Sequence, residues 1–125
     1  MKNKGFTIQK RLKSFVYAFN GIKLLIKNEH NAWIHCFATV YVITCGFLLN
    51  ISNTEWIAIC IVIGAVFAAE AINSSIETLA DFVSPDYNEA IKHTKDLAAG
   101  AVLLMAIAAA IVGFIIFIPK LFNLS

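Results

Sequence analysis

Charged side chains are scarce in this sequence, and their scarcity excludes most soluble folds. Only 14% of the 125 residues are charged, whereas 59% are hydrophobic, and the mean hydropathy is +0.75. A soluble domain of this size needs more charge to keep its surface wetted. The composition therefore indicates an integral membrane protein, and the length fits one domain.

Acidic residues are absent before Glu29, and the same stretch carries most of the cations. These are Lys2, Lys4, Lys10, Arg11, Lys13, Lys23 and Lys27. A nucleic-acid-binding arm would also be basic, but here the cations are interleaved with apolar residues at helical spacing, which favours a membrane surface. We therefore expect the bilayer, and no nucleic acid, as the partner of this segment.

Several motifs of soluble nucleotide and metal chemistry are missing. The chain contains neither a GxxxxGK[ST] loop nor the Gly-rich loop of protein kinases, so a nucleotide site must be of another kind. The three cysteines form no CxxC pair and are interpreted as small buried residues. The three histidines, His30, His35 and His93, share no ligand spacing and are interpreted as packed or interfacial side chains.

Long apolar runs predict an all-α membrane protein with three transmembrane helices and an N-terminal amphipathic surface helix, in a single domain, 1–125. Residues 7–28 place apolar side chains at steps of three and four with cations alongside, as in a helix lying in the headgroup layer. A core-facing helix of a soluble bundle is the alternative. The runs 31–49, 56–82 and 96–118 suit a hydrocarbon layer of about 30 Å, and the second extends beyond it into the cytoplasm.

Polar residues and prolines mark the ends of these segments. A polar turn is expected at 50–55, and Pro119 is expected to end the third span. Ser84 and Pro85 predict a helix stop and a restart, with Ser84 as the cap and Pro85 as the first helical residue. The distribution of cations predicts that the N-terminus and the 82–96 loop face the cytoplasm.

The most informative stretch is a row of polar side chains at the cytoplasmic end of the second span. Glu70, Asn73, Glu77 and Asp81 follow at intervals of three, four and four residues, so a helix would place them on one face. Glu70 lies about 21 Å along a helix from Trp56, which is still within the hydrocarbon. Placing an ionised carboxylate at that depth costs roughly a few kcal/mol, so such a residue is first interpreted as part of a functional site. For Asp81, an equal alternative is that it has no functional role and simply lies at the solvated end of a long helix.

Carboxylates placed at different depths along one helix suit phosphoryl transfer from a soluble nucleotide to a lipid alcohol. Carboxylates at the water boundary, Glu77 together with Glu29, suit Mg²⁺, which prefers carboxylate and phosphate oxygens. The deeper Glu70 is positioned to accept a proton from a hydroxyl held at the membrane surface. Lys95, followed by Asp96 just before the third span, would meet phosphate oxygens as a point charge.

Four segments together resemble the prokaryotic diacylglycerol kinase family, which includes the undecaprenol kinases. They are KSFVYA at 13–18 with Gly21, NEHN at 28–31, EAINSSIE at 70–77 with Asp81, and KDLAAGAV at 95–102. The resemblance covers residues 8 to 120, nearly the whole chain. It implies an ATP- and Mg²⁺-dependent kinase of a lipid alcohol, built as a homotrimer in a bacterial plasma membrane with active sites shared between neighbours.

The resemblance also implies roles for individual residues. Glu70 matches the general base that meets the lipid substrate, and Asn73 matches the asparagine beside the carboxylates. Glu29 and Glu77 match the carboxylates that hold the metal on the ATP phosphates. The other positions that match nucleotide contacts are Lys10 or Arg11, Tyr17, Asp86, Tyr87, Asn88, Lys95 and Asp96. Asn88 stands where the family often has histidine, a departure that leaves this contact open.

Other functions and substrates remain open at this point. A small proton-coupled transporter would use Glu70 as its coupling carboxylate, although such a protein usually has four spans and a carboxylate near the bilayer midplane. A non-catalytic scaffold would leave the graded carboxylates unexplained. The lipid is open between diacylglycerol and undecaprenol, and the Glu29-x-Asn31 form resembles the undecaprenol branch more closely.

Overall fold

The computed structural model describes residues 7–122, which form four helices in chain order. These are α1 (Ile8–Asn28), α2 (His30–Leu48), α3 (Asn53–Val83) and α4 (Glu89–Leu121). The described range contains no strand, so the all-α prediction is confirmed. The helices α2, α3 and α4 are each long and apolar enough to cross a membrane, in agreement with the three predicted spans. The location of α1 on the membrane surface stays a prediction.

Side-chain caps fix where the first and third helices begin. Thr7 Oγ1 accepts a hydrogen bond from the Lys10 amide at 3.1 Å at the start of α1. α3 begins with a capping box in which Ser52 Oγ accepts from the Glu55 amide at 3.2 Å and Glu55 accepts from the Ser52 amide at 2.9 Å. Residues 53–55, expected within a turn, therefore form the first turn of α3.

The prediction that the next helix begins at Pro85 is wrong. α4 begins immediately after Asn88, whose Oδ1 accepts a hydrogen bond from the Ile91 amide at 3.2 Å and so acts as the cap. The hydroxyl of Ser84, expected to cap this helix, instead donates to the backbone carbonyl of Asp86 at 3.1 Å. The Ser84 side chain thus braces the turn between the helices, and the asparagine further along provides the acceptor that α4 needs.

Pro119 does not end the third span as predicted. α4 continues to Leu121, and Pro119 lies in its last turn. A proline so close to a helix end removes one backbone donor and leaves the earlier turns intact. Lys120 then pairs with Glu55 at 3.4 Å, which joins the end of α4 to the start of α3.

The antiparallel pair of α3 and α4 is the main packing unit of the chain. Its buried cluster lies near the end that carries the Lys120 pair and consists of Ile51, Ile59 and Ile116. Trp56 covers this cluster and lies against Gly46 of α2. Many large apolar side chains of the three spans are exposed on the surface of the chain, as expected for helices that face lipid.

Candidate active site

One face of α3 carries a graded series of polar side chains. The helix is unbroken from Glu70 to Asp81, so Glu70, Asn73, Glu77 and Asp81 lie along one side, as their spacing predicted. Glu70 is 1% exposed and is the only buried charged residue in the described range. Asn73 and Glu77 are half-buried, and the side chain of Asp81 is 69% exposed. Burial therefore decreases along this face toward the loop between α3 and α4.

The buried carboxylate of Glu70 is paired with a histidine of the neighbouring helix. Nε2 of His35 in α2 lies 3.0 Å from Oε2 of Glu70. The same ring meets Phe67 edge-on, with 6.0 Å between the ring centroids. Interpreting His35 as a merely packed or interfacial side chain missed this contact. The two partners lie on different helices, so the distance between them in the sequence gives no indication that they are in contact.

Glu29 occupies the break between α1 and α2 and is tied to α3. Its amide donates to the Leu25 carbonyl at 3.1 Å, and its Oε2 accepts a hydrogen bond from Ser74 Oγ at 2.8 Å. Ser74 lies between Asn73 and Glu77, less than one turn from either, so the bond holds the Glu29 carboxylate beside the polar face of α3. The sequence pointed to Glu29 and Glu77 together but did not identify Ser74 as the residue that holds Glu29.

Asn73 contributes an unsatisfied polar atom to this face. Its Oδ1 is buried and has no hydrogen-bond partner among the described residues. Buried carbonyl oxygens are normally paired, and leaving one unpaired costs about 1–3 kcal/mol. An unpaired acceptor in this position suits a bound group that brings a donor or a cation.

The donors on this face can be tested for their fit to a metal ion. Within residues 7–122, no cluster of three or more His, Cys, Asp or Glu side chains is arranged to hold a metal. Mg²⁺ does not require one, because it usually binds one or two carboxylates and takes its remaining ligands from phosphates and water. The carboxylates of Glu29 and Glu77, with the unpaired oxygen of Asn73, are the donor types that Mg²⁺ on a nucleotide takes from a protein. The residues therefore fit this ion.

Lys95 lies in the polar first turns of α4, ahead of the apolar run, and joins α4 to α3. Its Nζ is 2.8 Å from Oδ1 of Asp81. This hydrogen bond raises the pKa of Lys95, and the negative charge of Glu77 adds to the effect. The lysine therefore carries its positive charge near the polar face, and its contact with phosphate oxygens stays a prediction. Asp96, also predicted to meet the nucleotide, forms a pair with Lys92 at 2.6 Å.

The predicted nucleotide contacts on α1 lie well away from Glu29. Lys10 precedes Glu29 by nineteen residues, which is about 28 Å along the helix axis. Arg11 lies next to it, and Tyr17, further along α1, is 66% exposed. Within this chain, the basic end of α1 and the carboxylate of Glu29 therefore lie at opposite ends of the helix.

The remaining predicted contacts are in the loop between α3 and α4. Asp86 and Tyr87 are exposed, with Tyr87 at 78%. The side chain of Asn88 is used as the cap of α4. The structure brings none of these three side chains into a hydrogen bond with the polar face of α3 within the described residues.

Two cavities lie beside α3. A largely apolar cavity of about 490 Å³ lies between α2, α3 and α4, and His35 is its lining residue nearest the start of α2. An open groove of about 1350 Å³ lies between α1 and α3 and includes Glu29 and Ser74. Glu29 thus lines an open groove, whereas Glu70 lines neither space and is linked to the apolar cavity only through His35.

Comparison with known proteins gives a consistent result over most of the chain. Residues 16–117 match the family model described as prokaryotic diacylglycerol kinase. The undecaprenol kinase of Bacillus subtilis (strain 168) is 40% identical over 87% of this chain and 89% of its own length. The diacylglycerol kinase of Synechocystis sp. is 39% identical over 90% of this chain and 65% of its own length. The diacylglycerol kinase of Haemophilus influenzae is 30% identical over 83% of this chain and 86% of its own length.

Proposed function

This chain belongs to the prokaryotic diacylglycerol kinase family and is a lipid kinase, and we propose that it transfers the γ-phosphate of ATP to the hydroxyl of a membrane lipid alcohol with the help of Mg²⁺. The observation that carries this proposal is the graded polar face of α3. Glu70 is buried, whereas Glu77 is half-buried and Asp81 is exposed. A fatty hydroxyl and a soluble triphosphate meet at such a boundary.

Glu70 acts as the general base in this reaction. It removes the proton of the lipid hydroxyl while that oxygen forms a bond to the γ-phosphorus and the bond to the bridging oxygen of the ADP leaving group breaks. In-line transfer of this kind needs little covalent chemistry from the protein and depends on positioning and charge neutralisation. Asn73, with its unpaired buried oxygen one turn along the helix, orients the reacting groups.

Glu29 and Glu77 hold Mg²⁺ through their carboxylates. When bound, Mg²⁺ neutralises charge on the phosphate oxygens. The Ser74 bond at 2.8 Å supports this role because it restrains the Glu29 carboxylate next to the helix that carries Glu77. Lys95, restrained by Asp81, contributes a point charge toward the same phosphates.

Residues other than the proposed metal ligands also bind the nucleotide. We assign this role to Lys10 or Arg11, Tyr17, Asp86, Tyr87, Asn88 and Asp96, in addition to Glu29, Glu77 and Lys95. The separation of about 28 Å along α1 between Lys10 and Glu29 supports a site shared between protomers, in which the basic end of α1 serves a neighbour. We therefore propose a homotrimer in the bacterial plasma membrane, with α1 on its surface and the N-terminus in the cytoplasm.

Undecaprenol is the acceptor that we propose. The Glu29-x-Asn31 form supports it, as does the 40% identity to an undecaprenol kinase over 89% of that protein's length. Diacylglycerol carries the same kind of hydroxyl and differs mainly in its apolar part. The choice between them therefore has to be made by direct comparison.

A single assay tests the proposed function. The purified protein is given γ-labelled ATP and Mg²⁺ in micelles that contain undecaprenol, diacylglycerol or no alcohol. We expect label in the lipid fraction only when an alcohol is present, with undecaprenol the better acceptor at equal mole fraction. Preference for diacylglycerol would correct the acceptor alone, whereas no labelled lipid with either alcohol would contradict the proposal.

A further inference from the structure

We propose that His35 is a positioning residue for the reaction, donating a hydrogen bond from Nε2 to Oε2 of Glu70 so that the other carboxylate oxygen is aimed at the lipid hydroxyl. The inference rests on the proposed role of Glu70 as the base. It concerns a residue that no motif of the sequence singled out, on a different helix from the polar face of α3.

The first support is the isolation of the Glu70 carboxylate. Its side chain is 2% exposed, and the His35 side chain is 22% exposed. In the described part of the chain, the hydrogen bond of 3.0 Å from His35 is the only one made to this carboxylate. A buried carboxylate that lacks a hydrogen-bond donor is strongly disfavoured, so this single bond offsets the burial of Glu70 and fixes its orientation.

The second support is that the ring of His35 is itself held in place. Phe67, one turn before Glu70 on α3, meets the ring edge-on at an interplanar angle of 73°. Thr39, one turn further along α2, donates a hydrogen bond to the His35 carbonyl at 2.7 Å. The Thr39 bond restrains only the His35 backbone, whereas the Phe67 contact restrains the ring itself from α3, and a restrained ring can orient the carboxylate it bonds.

The third support is the location of the pair. His35 lines the apolar cavity of about 490 Å³ between α2, α3 and α4, and its Nε2 lies 3.0 Å from Oε2 of Glu70, which is not among the lining residues. The histidine therefore stands between an apolar space and the carboxylate.

The chemical role follows from the atoms involved. As the donor in this bond, the His35 ring carries a proton on Nε2, and it keeps that proton throughout. The proton of the lipid hydroxyl moves to Oε1 of Glu70, the lipid oxygen forms its bond to the γ-phosphorus, and ADP leaves. The histidine is thus neither acid nor base in the transfer, and its removal should affect turnover more than nucleotide binding.

The test compares three substitutions at the same position. His35→Ala removes the donor. His35→Gln places an amide N–H at about the reach of Nε2, and His35→Asn carries the same amide on a side chain too short to reach Glu70. We expect kcat to fall about 10- to 100-fold in His35→Ala and His35→Asn, the factor for one lost hydrogen bond to a charged group. His35→Gln should recover most of the loss, and KM for ATP should stay unchanged in all three.

Two controls separate the outcomes. Thr44→Val removes a hydroxyl from the same helix, where among the described residues it bonds only the Val40 carbonyl and touches neither His35 nor Glu70, and should keep the full kcat. Glu70→Gln reports on the base itself: if it is active, the proposed role of Glu70 as the base fails and this inference fails with it. If Glu70→Gln is inactive, equal rates in His35→Ala and the unmodified protein, or equal losses in His35→Gln and His35→Asn, would overturn the positioning role alone.

Discussion

Ser74 Oγ donates a hydrogen bond across 2.8 Å to the carboxylate of Glu29, and this contact fixes the break between α1 and α2 against α3. The two residues are 45 positions apart in the chain. Their contact brings an acid from the end of one helix to the polar face of another. The arrangement makes the proposed metal site depend on a neutral hydroxyl as well as on its carboxylates.

Removing that hydroxyl should weaken the metal site without abolishing activity. We expect Ser74→Ala to raise the Mg²⁺ concentration for half-maximal activity about two- to tenfold, because one hydrogen bond is worth about 0.5–1.5 kcal/mol. The measurement is a Mg²⁺ titration of the initial rate at saturating ATP and lipid. Ser75→Ala is the matched control, since the adjacent serine lines the same groove without bonding Glu29. Identical titrations for the two variants would contradict the role of Ser74.

Substituting the proposed metal ligands themselves should change the Mg²⁺ requirement more than Ser74→Ala does. Glu29→Gln and Glu77→Gln are each expected to raise the half-saturating Mg²⁺ concentration by at least about tenfold, because each removes a charged ligand and not merely its support. KM for the lipid should not change. Glu89→Gln, an exposed acid in the first turn of α4, provides the control for loss of one negative charge. An unaltered Mg²⁺ titration in either variant would remove that residue from the metal site.

Asn73 should show opposite effects on stability and on activity. Its buried Oδ1 is unpaired, so Asn73→Leu should raise the unfolding free energy by about 1 kcal/mol while lowering kcat. The measurements are thermal unfolding in detergent without ligands and the initial rate of lipid phosphorylation. A variant that loses stability and keeps its rate would indicate that the asparagine is structural and that its oxygen serves no ligand.

The packing between α2 and α3 predicts a substitution that affects stability alone. A Cβ at Gly46 would lie 2.6 Å from Cη2 and 2.9 Å from Cζ2 of Trp56, so Gly46→Ala should lower the melting temperature. Gly64→Ala is the matched control, because an added Cβ there meets nothing within 4 Å in the same structure. It should be neutral or stabilising by up to about 1 kcal/mol, since alanine is the better helix former. KM values should be unchanged in both, and equal melting temperatures would contradict the predicted clash.

The features predicted from the sequence are those that depend on composition and on spacing within one helix. The three spans follow from long apolar runs, and the common face of Glu70, Asn73, Glu77 and Asp81 follows from the helical period. Both properties are local, and neither requires knowledge of how helices pack.

The features that were missed depend on the rotation of one helix against another or on competition between nearby caps. The partner of Glu70 is His35, and nothing in the α2 sequence indicates which of its faces meets α3. At the start of α4, both Ser84 and Asn88 are good caps, and the choice of Asn88 is visible only once the turn is built.

The central claim is that the buried Glu70 is the base for phosphoryl transfer, and the rate of lipid phosphorylation by Glu70→Gln at saturating ATP tests it most directly. Glutamine keeps the size of the side chain and removes its ability to accept the proton. We predict a rate at least about 100-fold lower, within the range for general-base catalysis, with the Kd for ATP unchanged. A rate equal to that of the unmodified protein would contradict the claim.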